Sequence, residues 1–158
     1  MLFHYHLWTP HVEETEKFYA SLGFQVSQRI GKKVMFDHIG FLVSEEEKVD
    51  VLERAVEIGL TVQSNERRTF IHTPYGFRIE LQDHFDAIQS RSESRIHQLN
   101  IETKTPGLEE VLQQLFNCPV PQIVVTESNR TQLTHVNLMG DCAISSTDPN
   151  GIQIILSE

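Results

Sequence analysis

The sequence predicts an α+β fold built from a repeated unit of one strand, a helix and three further strands. Three observations predict it. Segments such as "FHYHLW" and "FDHIGFLV" alternate between apolar and polar residues, the pattern of half-buried strands. Such segments run into stretches with helical spacing and helix-start chemistry. Finally, "TPYGFRIEL" at 73–81 and "DPNGIQIIL" at 148–156 match as Pro, any residue, Gly, apolar, long polar, Ile, any residue, Leu, so the unit closes twice along the chain.

The elements follow in order. In the first strand, residues 2–8, Phe3, Tyr5 and Leu7 share one face, and Leu2, His4, His6 and Trp8 share the other. Thr9 is placed to cap the next helix with Pro10 at its first position, and Val12, Phe18, Tyr19 and Leu22 form a stripe closed by Gly23. "FQVSQRI" at 24–30 reads as a strand, and "FDHIGFLV" at 36–43 as another, with Ile39, Phe41 and Val43 opposite His38, Gly40 and Leu42. Ser44 and Glu47 make a capping box for a helix that turns Val49, Leu52, Val56 and Ile58 inward and stops at Gly59. Strands at about 60–64 and 68–73, the turn "TPYG" and a strand at 77–82 complete the unit. Residues 83–95 have no clean period and read as a connector. A second stretch, 96–158, repeats the pattern: a strand "IHQLNIE", Thr105-Pro106 capping the helix "GLEEVLQQLF", strands near 121–127, 132–139 and 142–146, the turn "DPNG", and a strand at 152–157.

With 158 residues, 39% hydrophobic and 22% charged, the chain suits one sizeable core or two small repeated units. A formal charge of -9 repels phosphate, and Arg67-Arg68 is the largest basic cluster, so nucleic acid is excluded as a partner. Cys118 and Cys142 lie 24 residues apart, without the spacing of a zinc knuckle or a disulfide framework, which fits the cytoplasm. Neither a targeting leader nor a membrane span is expected.

The order "H4…E13…FYASLGF", then "DHIGFLV" before a helix, then "TPYGFRIEL", resembles the vicinal oxygen chelate superfamily. That superfamily includes glyoxalase I, bleomycin-resistance proteins, fosfomycin-modifying enzymes and extradiol dioxygenases. The resemblance covers residues 1–82 and extends through the repeat to 158. It implies paired βαβββ modules curling a mixed sheet into a cup that binds a divalent metal through a His on an opening strand and a Glu on a closing one. Carried over, His4, His38 and Glu80 take these positions, and His97 opens the later module, whose closing strand has Ile155 where an acid would stand. One departure is plain: only residues 25–35 separate "LGF" from "DHIGF", so either the first module is shortened near 32–35 or chain is missing there from this sequence.

Strand parity tests the ligands, because a cup residue must lie opposite the helix-packed face. His4, His38 and Glu80 pass, and Gly40 beside His38 leaves room for a metal or substrate. His97 shares its face with Leu99 and Ile101 and, in a strand without a bulge, points to the core, so parity favours His4/His38/Glu80 over the alternative triad His4/Glu80/His97. His/His/Glu suits Fe(II), Mn(II), Ni(II) or Zn(II). His6 is then the candidate proton carrier, with Trp8 and Arg78 as candidate substrate contacts. The functional expectation is a metal-dependent enzyme, of lyase or oxidoreductase type, acting on a small oxygenated or electrophilic molecule, with a homodimer as the expected assembly. The alternative is a metal-free small-molecule binder of the bleomycin-resistance kind.

Overall fold

The computed structural model describes residues 1–24, 26, 28–65, 68–83 and 96–158. The predicted connector therefore falls, from residue 84 on, outside the described residues. In the first part of the chain, β1 (Leu2–Thr9), α1 (Val12–Ser21) and β2 (Arg29–Ile30) are followed by β3 (Met35–Leu42), α2 (Glu45–Glu57), β4 (Thr61–Ser64), β5 (Thr69–His72) and β6 (Arg78–Gln82). They form a six-stranded sheet in the order β2-β1-β3-β6-β5-β4. The second part holds β7 (Ile96–Thr103), α3 (Leu108–Phe116), β8 (Ile123–Glu127), β9 (Gln132–Met139), β10 (Ile144–Thr147) and β11 (Gln153–Ser157). These give a five-stranded sheet in the order β10-β11-β9-β7-β8.

The two orders coincide once β7 is laid on β1, β8 on β2, β9 on β3, β11 on β6 and β10 on β5. The pairings agree: β1/β2 and β7/β8 are parallel, β1/β3 and β7/β9 antiparallel, β3/β6 and β9/β11 parallel. The repeat is thus longer than the matching nonapeptides suggest. Five strands follow residue 95, at the five segments expected from the sequence and one more than a βαβββ unit holds, and the second copy omits the counterparts of α2 and β4, with β9 passing through 140–143 into β10.

Local sequence explains most element ends. Ser44 and Glu47 form the predicted capping box, Glu47 N–H donating to Ser44 Oγ at 3.0 Å and Ser44 N–H to Glu47 Oε2 at 2.8 Å. Gly59 ends α2 with a φ of 81° that a Cβ would disfavour. Four expectations are corrected. α2 buries Val51 and Ala55, while Val49, Val56 and Ile58 are exposed, because the sheet meets a neighbouring stripe of the helix. α1 begins at Val12, with Thr9 Oγ1 accepting from His11 N–H. α3 is capped by Gly107 in a left-handed conformation and not by Thr105. Of the strand expected over 24–30, Arg29–Ile30 pairs, whereas the described residues 24, 26 and 28 do not.

One apolar cluster joins both sheets and the helices, including Leu7, Tyr19, Ile39, Ile79, Leu99, Leu112, Val136 and Ile154. α2 packs on α3, where Arg54 Nε donates to the Leu115 carbonyl at 2.7 Å. Polar contacts also cross between the halves. Tyr19 Oη donates to Asp148 Oδ2 at 3.0 Å, and Asn150 bonds Thr9 and Thr15. The equivalent turn of the first half sends the Tyr75 hydroxyl against Gly107 at the start of α3. No described helix is long and apolar enough to cross a membrane.

Candidate metal centre

β1, β3 and β6 lie side by side, so residues on their face away from the core meet in one place. In register, His4 faces Gly40, His6 faces His38, and Gly40 faces Glu80. His4 Nε2 stands 3.0 Å from His38 Nε2 and 2.9 Å from Glu80 Oε2, and His38 Nε2 is 3.0 Å from the same oxygen. The side chains of His38 and Glu80 are 2% and 1% exposed, against 27% for His4, so the group is reached from the His4 side.

Gly40 has a different role from the one expected of it. The space beside it is filled by the His4 ring, with which a Cβ at this position would overlap. The missing side chain lets the imidazole lie flat against β3.

Two irregularities in the β1/β3 ladder shape the rest. The first falls between Leu2 and His4. It sends Leu2 into the core and Phe3, expected there, edge-on against the His4 ring at 4.2 Å. The second pairs His6 with His38 but Leu7 with Phe36, leaving Asp37 as the extra residue. Asp37 therefore turns to the same side as His38 and joins the site, which strict alternation forbids. Its Oδ2 is 2.8 Å from His38 Nδ1, and both its oxygens accept from Arg78 Nη2 at 2.9 Å. Arg78, expected to meet a substrate anion, is committed to Asp37 and stacked over Phe70 at 4.2 Å.

These contacts set the protonation of the group. Burial alone raises the Glu80 carboxyl, but hydrogen bonds from His38, His4 and Gln82 outweigh it and hold Glu80 well below the usual range. Asp37 is likewise depressed against its burial by His38 and Arg78. His38, between two carboxylates, is raised despite burial, whereas burial wins at His4 and lowers it. His6 stacks on His38 with ring centres 5.0 Å apart, and burial together with the His38 charge pushes it down to about 4. Its Nδ1 is buried, has no hydrogen-bond partner among the described residues and stands 3.8 Å from Asp37 Oδ2.

Trp8 and Arg78 line a cavity of about 260 Å³ beside the group, with Met35, Asp37, His72 and Phe77. Arg29 sits over the Trp8 ring at 5.4 Å. His97 is exposed and does not point into the core, because the β7/β9 ladder has its own irregularity between Ile96 and Gln98. Sequence reasoning missed Asp37, for which the only signal was its place beside His38. It also passed over Arg68, whose Nε is 3.7 Å from Glu80 Oε1.

A scan against protein-family models finds no match, and a search of curated proteins finds none either. Solved structures do match. A halotolerant catechol dioxygenase superposes with a TM-score of 0.78 at 11% identity, covering 98% of this chain and 85% of its own. The 2,2',3-trihydroxybiphenyl 1,2-dioxygenase from Sphingomonas wittichii gives 0.74 at 10%, covering 99% and 89%. The chain has the vicinal oxygen chelate fold. A Mn(II)-bound glyoxalase from Novosphingobium aromaticivorans shares it, with a TM-score of 0.68 at 11% identity, covering 98% and 80%. The expected α+β class with curled mixed sheets is borne out.

Proposed function

We propose that this chain is a metal-dependent enzyme of vicinal oxygen chelate type, holding a divalent ion with His4, His38 and Glu80 and acting on a small oxygenated or electrophilic molecule. The spacing of the three donor atoms carries this reading. With metal–ligand bonds of about 2.1 Å, donors on one face of an octahedron stand about 3.0 Å apart, and the three separations are 2.9 to 3.0 Å. Two imidazoles and a carboxylate suit Fe(II), Mn(II), Ni(II) or Zn(II). The matching structures support it, since they include catechol dioxygenases and a Mn(II)-bound glyoxalase.

Bound there, the ion supplies Lewis acidity toward a chelating substrate oxygen. The protein's own groups do the rest. Asp37 Oδ2 holds the proton on His38 Nδ1 and leaves Nε2 as the donor. Gln82 Nε2 donates to Glu80 Oε1 at 2.9 Å and leaves Oε2 for the ion. His6, whose Nδ1 has no hydrogen-bond partner among the described residues, is the proposed carrier of a substrate proton. Trp8 and the adjoining cavity hold the apolar body of the substrate. The reading includes a cytoplasmic setting and a homodimer, the latter tested by light scattering.

Metal analysis of the purified protein, repeated on His4→Ala and Glu80→Ala, is the direct test. One divalent ion per chain, lost in both variants, is expected; absence of uptake under every loading condition would falsify the reading. A second reading, a metal-free binder, draws on the other sheet, where Ile155 stands in register at the place of Glu80. Thermal stabilisation by organic ligands but by no divalent ion would favour it.

A further inference from the structure

Among the described residues, Arg29, Arg68 and Arg78 lie around the histidine-bearing face of the first sheet, and two are engaged. Arg78 bonds both oxygens of Asp37, and Arg29 lies over Trp8. Arg68 differs. Its guanidinium is half exposed and makes no hydrogen bond among the described residues; its ion pair with Glu80 Oε1, at 3.7 Å, is longer than a hydrogen bond. That oxygen already accepts from Gln82, and the other oxygen of Glu80 faces the two histidines. The backbone of Arg68 is nonetheless fixed: its N–H donates to Asn65 Oδ1 at 2.8 Å and its carbonyl accepts from Asn65 N–H at 2.9 Å. An anchored arginine with unused donors thus stands at the mouth of the His4–His38–Glu80 group, whose open side is also the side of His4.

A guanidinium with free paired donors is a receptor for a planar carboxylate, which it binds through two parallel hydrogen bonds. We propose that Arg68 docks a carboxylate carried by the substrate, so that this site takes an oxygenated small molecule bearing a separate anionic group. This rests on the reading of the triad as a metal centre. It also moves the anion-binding role from Arg78, which sequence alone suggests, to Arg68. The overall charge of -9 repels anions at long range, so the preference is local. It weakens as salt screens a half-exposed pair.

The test uses the 158-residue chain loaded with Mn(II), its metal content measured first, and calorimetric titration with catechol and protocatechuate, which differ by one carboxylate. The unmodified protein is expected to bind protocatechuate about tenfold more tightly. In Arg68→Gln the ratio of the two affinities falls to near one, and in Arg68→Lys it is intermediate. No preference in the unmodified protein, or a ratio that survives Arg68→Gln, overturns the proposal. A fall in Mn(II) affinity in Arg68→Gln with the ratio intact also overturns it, since Arg68 would then only support Glu80. If the unmodified protein takes up no metal, the metal reading fails and this inference falls with it. Full metal uptake with an unchanged ratio sinks this inference alone.

Discussion

The two sheets carry the same ladder with different side chains. In the first, His4 pairs Gly40, His6 pairs His38, Gly40 pairs Glu80 and His38 pairs Arg78. In the second, Gln98 pairs Asn137, Asn100 pairs His135, Asn137 pairs Ile155 and His135 pairs Gln153. Even the irregularities coincide. Thr134 is the extra residue before His135 as Asp37 is before His38, and its Oγ1 sits 3.0 Å from His135 Nδ1 where Asp37 Oδ2 sits 2.8 Å from His38 Nδ1. The unpartnered buried atoms match as well: His6 Nδ1 in one sheet, Asn100 Oδ1 in the other. The backbone device that presents a histidine is common to both. At the positions of the three grouped side chains and their glycine the second sheet has Gln98 for His4, Asn137 for Gly40, Ile155 for Glu80 and His135 for His38, and Asn137 Nδ2 donates to Gln98 Oε1 at 3.0 Å.

The comparison is broken most severely by copying the second sheet onto the first. Glu80→Ile, by analogy with Ile155, should lower metal affinity roughly a thousandfold while the chain still folds, because one of three ligands is lost. Calorimetry and circular dichroism check the two halves of that statement. The reverse transfer is more demanding: Gln98→His, Asn137→Gly and Ile155→Glu together should raise the metal content from one to two ions per chain. A stoichiometry that stays at one would mean that the matching ladders do not suffice to rebuild a site.

Gly40→Ala and Asn137→Ala sharpen the contrast at a single pair. The first forces the His4 ring away and should cost about 1–3 kcal/mol of stability, with metal binding impaired. The second loses one partly exposed hydrogen bond and should cost about 1 kcal/mol or less. Denaturant unfolding distinguishes them. Asp37→Asn, which weakens the hold on His38, should reduce metal affinity about 10–100-fold, whereas Thr134→Ala leaves it untouched.

The smallest effect concerns pH. His38 is raised above the ordinary imidazole value of about 6.5, and binding must displace its Nε2 proton. Metal affinity is therefore full above the raised value and falls as pH drops through it, by about tenfold per unit for one proton. In the metal-free protein the sign is opposite. The charged His38 adds stability that is complete below about pH 6.5 and lost as pH rises through its folded value. Metal loading removes that dependence, which thermal melts across pH 6 to 9 would show.

Much of the triad was legible because a strand alternates strictly where its ladder is regular. His38, Gly40 and Glu80 lie on such stretches, and their neighbours Ile39, Ile79 and Leu81 are buried as alternation requires. Legibility failed where the ladder slips. Phe3 and His97 occupy the same irregular position in the two sheets and both leave the core, while Asp37 gains a side it should not have. A slip depends on pairing between strands far apart in sequence, so no local pattern reports it. The inward stripe of α2 was misplaced for a related reason: Val51 and Ala55 are buried by where the sheet and α3 meet the helix, which its own spacing does not specify. The role of Arg68 became visible only after Arg78 was seen to be engaged elsewhere.

The closing turns of the two halves clasp each other's first helix, Asn150 holding Thr15 of α1 and Tyr75 lying against the start of α3. Tyr19, on α1, joins Tyr5 of the histidine-bearing strand to Asp148 of the opposite turn. The positions of His4 and His6 are therefore coupled to residues some 140 positions away in the chain. Such reciprocal bracing makes the two halves one cooperative unit, expected to melt in a single transition. The second sheet is then a thermodynamic part of the site: loosening its last turn should lower the melting temperature of the histidine strand by as much as it lowers its own.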